Sequence, residues 1–178
     1  GYALARYKIK FKNLIISFIL MTIVIPVFTT IIPIYSFFME HSMLDSMLWT
    51  SVIFISAFIP LNIWIIMNYL RELPEDLWEA AAIEGANERQ LFFQIGLPLA
   101  KPIVLTSSLV IFLMSWKQYI IPMLLLSSHN NKVLTLIMSE FMTRDAINYS
   151  VIAMSGIIVI IPPLLLSLIH ISEPTRPY

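Results

Sequence analysis

Residues 46–70 read SMLWTSVIFISAFIPLNIWIIMNYL, an unbroken run without a charged side chain. A helix that crosses the hydrocarbon core of a bilayer needs about 20 mainly apolar residues. This run meets that length, and it is not alone. Asn13 to Met39 is also uncharged, and so is Ala146 to Ser172. Pro102 to Leu126 is apolar apart from Lys117. Four such runs in 178 residues cannot all be hidden inside a soluble fold. They predict an all-α membrane protein with four transmembrane helices, over about 13–39, 46–70, 102–126 and 146–169.

Composition agrees. Hydrophobic residues make up 58% of the chain and charged residues only 12%, too few to cover a water-soluble surface. Mean hydropathy is +0.83. Lys and Arg number 11, as do Asp and Glu, so no basic excess exists to hold a nucleic-acid backbone. Cysteine is absent, which removes thiolate chemistry and disulfides. His41, His129 and His170 share no metal-ligand spacing, so no metal site is expected. An intramembrane enzyme would show paired acids or HExxH within its spans, but the one charge there is Lys117. These patterns exclude a cytosolic enzyme, a disordered tail and a nucleic-acid binder.

Lys and Arg set the orientation. With a cytoplasmic N-terminus, the inner segments hold Arg6, Lys8, Lys10, Lys12, Arg71, Arg89, Lys101 and Arg176. The outer ones hold only Lys132 and Arg144. The N-terminus, the 71–101 loop and the C-terminus are therefore expected in the cytoplasm. The spans contain Pro26, Pro33, Pro60, Pro122 and Pro162-Pro163, each of which removes a backbone donor. The freed carbonyls need partners from neighbouring helices or water. Kinked, packed helices lining a path are the expectation. Leu134 to Met142 can form a short outer-surface helix.

The loop RELPEDLWEAAAIEGANERQLFFQIGLPLAK, residues 71–101, is patterned rather than merely connecting. Pro74, Glu75 and Asp76 suit the first turn of a helix. Leu77, Trp78, Ala80, Ala81, Ala82 and Ile83 are helix formers or apolar cover. Gly85 can end that helix in a left-handed conformation. Asn87 and Gln90 have capping-box spacing for a second helix. Pro98 and Pro102 bracket the start of the third span. Pro74 to Glu88 holds five acids and no base, unlike the basic helices that lie on lipid. The hairpin therefore reads as a docking element for a soluble partner.

The string resembles the EAA signature of ABC-importer permeases: EAA, three residues, G, nine residues, I-x-L-P. Here it is Glu79-Ala80-Ala81, Gly85, then Ile95-Gly96-Leu97-Pro98, with both spacings met. GYALAR (1–6) and SWKQYIIPMLLLS (115–127) resemble flanking stretches of the sugar-type branch, the maltose type among them. The resemblance covers about residues 1–169, the permease core.

It implies a transmembrane subunit of an ATP-driven importer, most simply for carbohydrate. Another small solute or a non-transporting scaffold are the alternatives. It implies that Glu79, Ala80, Ala81 and Gly85 form a coupling helix and turn seated in the ATP-binding subunit. Ile95, Leu97 and Pro98 would fix the hairpin to the membrane core. Implied partners are that subunit, a second and different permease chain, and an extracytoplasmic solute-binding protein. ATP and Mg²⁺ would reside on the ATPase, and this chain, without G-x-x-x-x-G-K-[ST], would bind no cofactor itself. The implied location is a bacterial or archaeal cytoplasmic membrane. The family pattern has six spans, of which this chain shows four. Glu84 stands where the family usually has Asp, and Lys117-Gln118 where it has Asn with an acid. The tail 170–178, HISEPTRPY, matches neither the family nor a helix end and is expected not to be native.

Lys117, Gln118 and Asn62 are the candidates for a solute path. Lys117 lies 15 residues past Pro102, about 22 Å along one helix. An intramembrane cation is a functional candidate by default. The alternative is snorkelling to the outer interface beside an aromatic belt of Trp116 and Tyr119.

Overall fold

The computed structural model describes residues 1–143 and 149–172. Arg144, Arg176, the start of the fourth apolar run and the end of the tail lie outside the described residues. The fold is all-α, with no strand among the described residues. The helices are α1 (Tyr2–Arg6), α2 (Lys12–Val24), α3 (Val27–Glu40), α4 (Met47–Glu72), α5 (Asp76–Ile83), α6 (Glu88–Trp116), α7 (Ile120–Leu125), α8 (Leu134–Thr143) and α9 (Tyr149–Ser172).

Among the described residues, Met47–Glu72, Glu88–Trp116 and Tyr149–Leu168 are long and apolar enough to cross a membrane. The pair α2 and α3 makes a fourth only if its two pieces count together. The first apolar run is thus not the single helix expected over 13–39. Ile25 is extended (φ −66°, ψ 119°) because Pro26 follows it, and proline disfavours helical backbone in the residue before it. Pro33, Pro60, Pro102 and Pro162-Pro163 stay inside continuous helices.

The third span also differs from the expected 102–126. It starts at Glu88, so the second limb of the hairpin and the membrane helix are one rod, and it stops at Trp116. Leu91–Gly96 within it is a π-turn, with the Leu97 N–H bonded to the Phe92 carbonyl five residues back. The wider turn gives the ring of Pro98 room against the carbonyl four residues before it.

The chain divides into two compact units. The first comprises residues 1–26 and 55–111. In it Leu4 of α1, Ile16, Ile19 and Leu20 of α2, and Ile63, Trp64 and Met67 of α4 border one narrow crevice. Met67, Leu70, Trp78, Leu91 and Ala100 are buried there.

The second unit comprises residues 27–54 and 112–178. Ile31 and Phe38 of α3 pack with Ile121 and Leu125 of α7, flanked by Met43, Leu44 and Ile53. Asp45 clasps two loops of this unit. It adopts φ 58°, its N–H donates to the Leu125 carbonyl at 2.7 Å, and its carboxylate accepts from the N–H groups of Ser127 and Ser128 at 3.0 and 2.9 Å. The Asn131 amide donates to its carbonyl at 2.7 Å. Hydrogen bonds from Ser128, then from Ser127 and Asn131, hold the Asp45 carboxyl below the ordinary carboxylate range.

One tertiary contact answers the prolines. Pro163 cannot donate to the Val159 carbonyl, four residues before it. The Trp116 indole N–H takes that carbonyl at 2.9 Å. Trp116 is half-buried and stacks on Phe112 at 5.5 Å, and its N–H serves α9. Trp116→Phe keeps an aromatic ring but removes the indole N–H, leaving the Val159 carbonyl without that donor. We expect a loss of about 1–3 kcal/mol, read as a lower unfolding midpoint in detergent.

Large apolar side chains of α9 face outward, Ile157, Ile161, Leu164 and Leu168 among them. In water these would be a liability. Lipid or neighbouring helices suit them.

Candidate functional site

The loop is a hairpin of α5, a glycine turn and the start of α6, all in the first unit. Helix α5 begins two residues after Pro74, not with it. The Pro74 carbonyl accepts the Leu77 N–H, and Glu75 is the N-cap. Gly85 has φ 87°, a backbone that a side chain strains, and the Ala86 N–H returns to the Ala81 carbonyl at 3.0 Å. Asn87 and Gln90 close a reciprocal capping box, with N–H to side-chain bonds of 2.8 and 3.0 Å. Both ends of the turn are therefore satisfied locally, and the hairpin is a stiff unit.

Its two faces differ. Trp78 is 2% exposed and anchors the inner face. Gly96 is buried against it: a Cβ there would lie 3.3 Å from Trp78 Cη2 and 2.8 Å from Tyr2 Cε2. The outer face presents Glu79, Ala80, Ala82 and Glu84, with Gly85 exposed beyond them. Ile83 at its tip is 87% exposed. As helix cover alone, Ile83 would be expected to turn inward. Only its position one turn from Glu79 and next to the glycine turn could have suggested an outward-facing apolar tip. Of the remaining signature residues, Ala81 and Ile95 are half-buried, while Leu97 and Pro98 are exposed.

Segment 1–7 packs on this hairpin. The Tyr7 hydroxyl donates to the Glu88 carboxylate at 2.5 Å, and that bond pushes the phenol pKa up to about 12. The Arg6 guanidinium lies 4.7 Å above the Trp78 ring and 3.9 Å from the Glu75 carboxylate. The ion pair is exposed on the Glu75 side and contributes little.

The solute-path candidates belong to different units. Asn62 is half-buried on the part of α4 that belongs to the first unit. Lys117 is not on a span helix as the 15-residue rise assumed. It sits exposed in the break after Trp116. Gln118 follows it and lines a cleft of about 330 Å³ in the second unit. Phe54, Ser115, Trp116, Pro122, Thr135 and Val159 line it too, and among the described residues no charged side chain does. The Thr135 hydroxyl donates to the Gln118 carbonyl at 2.8 Å, which ties α8 to the break. Helix α8 is thus half-buried wall, with Leu136 buried, and not a surface helix alone. Among the described residues no group of three His, Asp or Glu is arranged to hold a metal ion.

Comparison with known proteins places these features in context. The profile of the family described as "Binding-protein-dependent transport system inner membrane component" matches residues 1–174. The diacetylchitobiose uptake system permease protein NgcG of Streptomyces coelicolor is 28% identical over 93% of this chain and 55% of its own length. The melibiose/raffinose/stachyose import permease protein MelC of Bacillus subtilis is 27% identical over 94% of this chain and 61% of its own. The lactose transport system permease protein LacG of Rhizobium radiobacter is 25% identical, over 93% and 60%. The chain spans little more than half the length of these curated relatives.

Proposed function

The chain belongs to the family of binding-protein-dependent transport system inner membrane components, and on that premise we propose that it works as a transmembrane subunit of an ATP-driven carbohydrate importer. The family consists of multi-pass transport components of the inner membrane, not catalytic subunits. The observation that carries the reading is the hairpin: a stiff, capped element with a small-residue outer face and an exposed apolar tip. Glu79, Ala80, Ala81 and Gly85 form the seat for the ATP-binding subunit in this reading. Ile95, Leu97 and Pro98 join the seat to α6. Because α6 runs unbroken from Glu88 to Trp116, a push on the hairpin is passed into the membrane rather than absorbed by a loop.

Carbohydrate is favoured by the names of the relatives and by the cleft beside Gln118, whose lining among the described residues is uncharged and suits a neutral solute. Lys117 at its edge and Asn62 on α4 are the other proposed path residues. ATP and Mg²⁺ belong to the partner ATPase in this scheme. A second, different permease chain and an extracytoplasmic solute-binding protein complete the assembly. The Lys and Arg distribution supports a cytoplasmic hairpin and cytoplasmic termini.

Single cysteines at positions 79 and 85 test the coupling reading. In the full-length subunit with its partners present, both are expected to crosslink to the ATPase. Absence of any crosslink would favour a non-transporting scaffold.

A further inference from the structure

We propose that the segment Gly1–Tyr7 is a brace on the hairpin, with Tyr2 as its wedge and Arg6 and Tyr7 as its ties. These three are positioning residues for coupling, and the proposal rests on the coupling role given above to Glu79–Gly85.

Helix α1, Tyr2–Arg6, lies against the hairpin. What fixes it is what its side chains touch. The Tyr2 ring meets Phe92 edge-on with centroids 4.9 Å apart, and Trp78 at 6.0 Å. Gly96 provides the space for that ring, since a Cβ there would come within 2.8 Å of it. The Arg6 guanidinium also lies over the Trp78 ring. Tyr7 reaches the second limb at Glu88, 81 positions along the chain. Lys12 donates to the carbonyls of Ala5 and Tyr7 at 3.3 Å and closes the end of the brace.

One short segment therefore grips both limbs of the hairpin and the π-turn at its root. The ring contacts gather at the buried Trp78 and Gly96. The outer side, with Glu79, Ala80, Ala82 and Ile83, stays exposed. A docking face transmits force only if its supporting shell does not yield. The brace supplies that shell, so its loss should let the hairpin give way without abolishing docking.

The test uses the importer assembled from the full-length subunit, its ATPase, its second permease and its binding protein in liposomes. Two quantities are read: ATPase retained on purification, and solute moved per ATP hydrolysed. Tyr2→Ala is expected to retain the ATPase while solute per ATP falls about tenfold, the scale set by two lost edge-to-face ring contacts. Tyr2→Phe keeps both ring contacts and is expected to restore the ratio. Tyr7→Phe removes one hydrogen bond and is expected to lower the ratio about 2–10-fold.

A normal ratio in Tyr2→Ala overturns the proposal. Should that variant fail to assemble, Tyr7→Phe decides, because it deletes a single oxygen from an exposed position, and an unchanged ratio there overturns it equally. The coupling reading fails in a different way: the unaltered hairpin then gives no crosslink to the ATPase from position 79 or 85. That result removes the coupling role and the brace with it. A crosslink with unchanged ratios removes the brace alone.

Discussion

Gly96→Ala is expected to destabilise the chain by about 1–2 kcal/mol, the reverse of the usual effect of alanine in a helix. In most helices the change stabilises by roughly 0.5–1 kcal/mol, because glycine loses more backbone freedom on folding. At Gly96 that gain is outweighed. The new methyl would lie 2.8 Å from the Tyr2 ring, closer than atoms pack, and 3.3 Å from Trp78, a tight contact. Neither ring is free to retreat. Trp78 is 2% exposed, and Tyr2 is held between Trp78, Phe92 and Tyr7. Overpacking of this kind costs about 1–3 kcal/mol. Gly156 on α9 serves as the internal comparison, because a Cβ there meets nothing within 4 Å. Gly156→Ala should keep the ordinary sign. Parallel thermal unfolding of the two variants in the same detergent reads the difference. Equal shifts in the same direction would contradict the packing described for Tyr2 and Gly96.

Ile83→Asp is expected to weaken binding of the ATP-binding subunit by at least about 30-fold while leaving the unfolding midpoint unchanged. Ile83 is 87% exposed and supports nothing inside the chain, so folding should not register its loss. An apolar anchor at the centre of an interface contributes about 2 kcal/mol or more. At 1.4 kcal/mol per decade that is roughly 30-fold in affinity. Aspartate adds the cost of burying an unpaired charge beside Glu79 and Glu84, which are already on that face. Ile83→Ala should show a smaller loss in the same direction. Binding of the ATPase to the detergent-purified subunit, measured beside a melting curve, checks both halves. Unchanged affinity would move the docking site away from the tip of α5.

What the sequence by itself determined is local in origin. Charge-free runs of bilayer length require membrane helices wherever they occur, because unpaired backbone polar groups are intolerable in hydrocarbon. The hairpin was equally legible. Gly85 at φ 87° and the reciprocal Asn87–Gln90 caps involve groups within one or two turns of each other. Such interactions depend on spacing alone, and spacing is written in the sequence.

Tertiary structure decided the rest. Five prolines or proline pairs lie in apolar runs outside the short α7, and the chain breaks at Pro26 while helices continue through the others. At Pro163 the freed Val159 carbonyl is satisfied by an indole 43 positions before it. Lys117, expected on a helix from its spacing, sits in a turn, because the rod ends at Trp116. Ile83 and Trp78 lie five residues apart in one short helix, yet one is buried and the other is not. Their fates differ because Tyr2 and Arg6 cover only one side of α5. The reason in each case is the same: a helix can be read from its own periodicity, but which face it buries depends on what the distant chain brings to it.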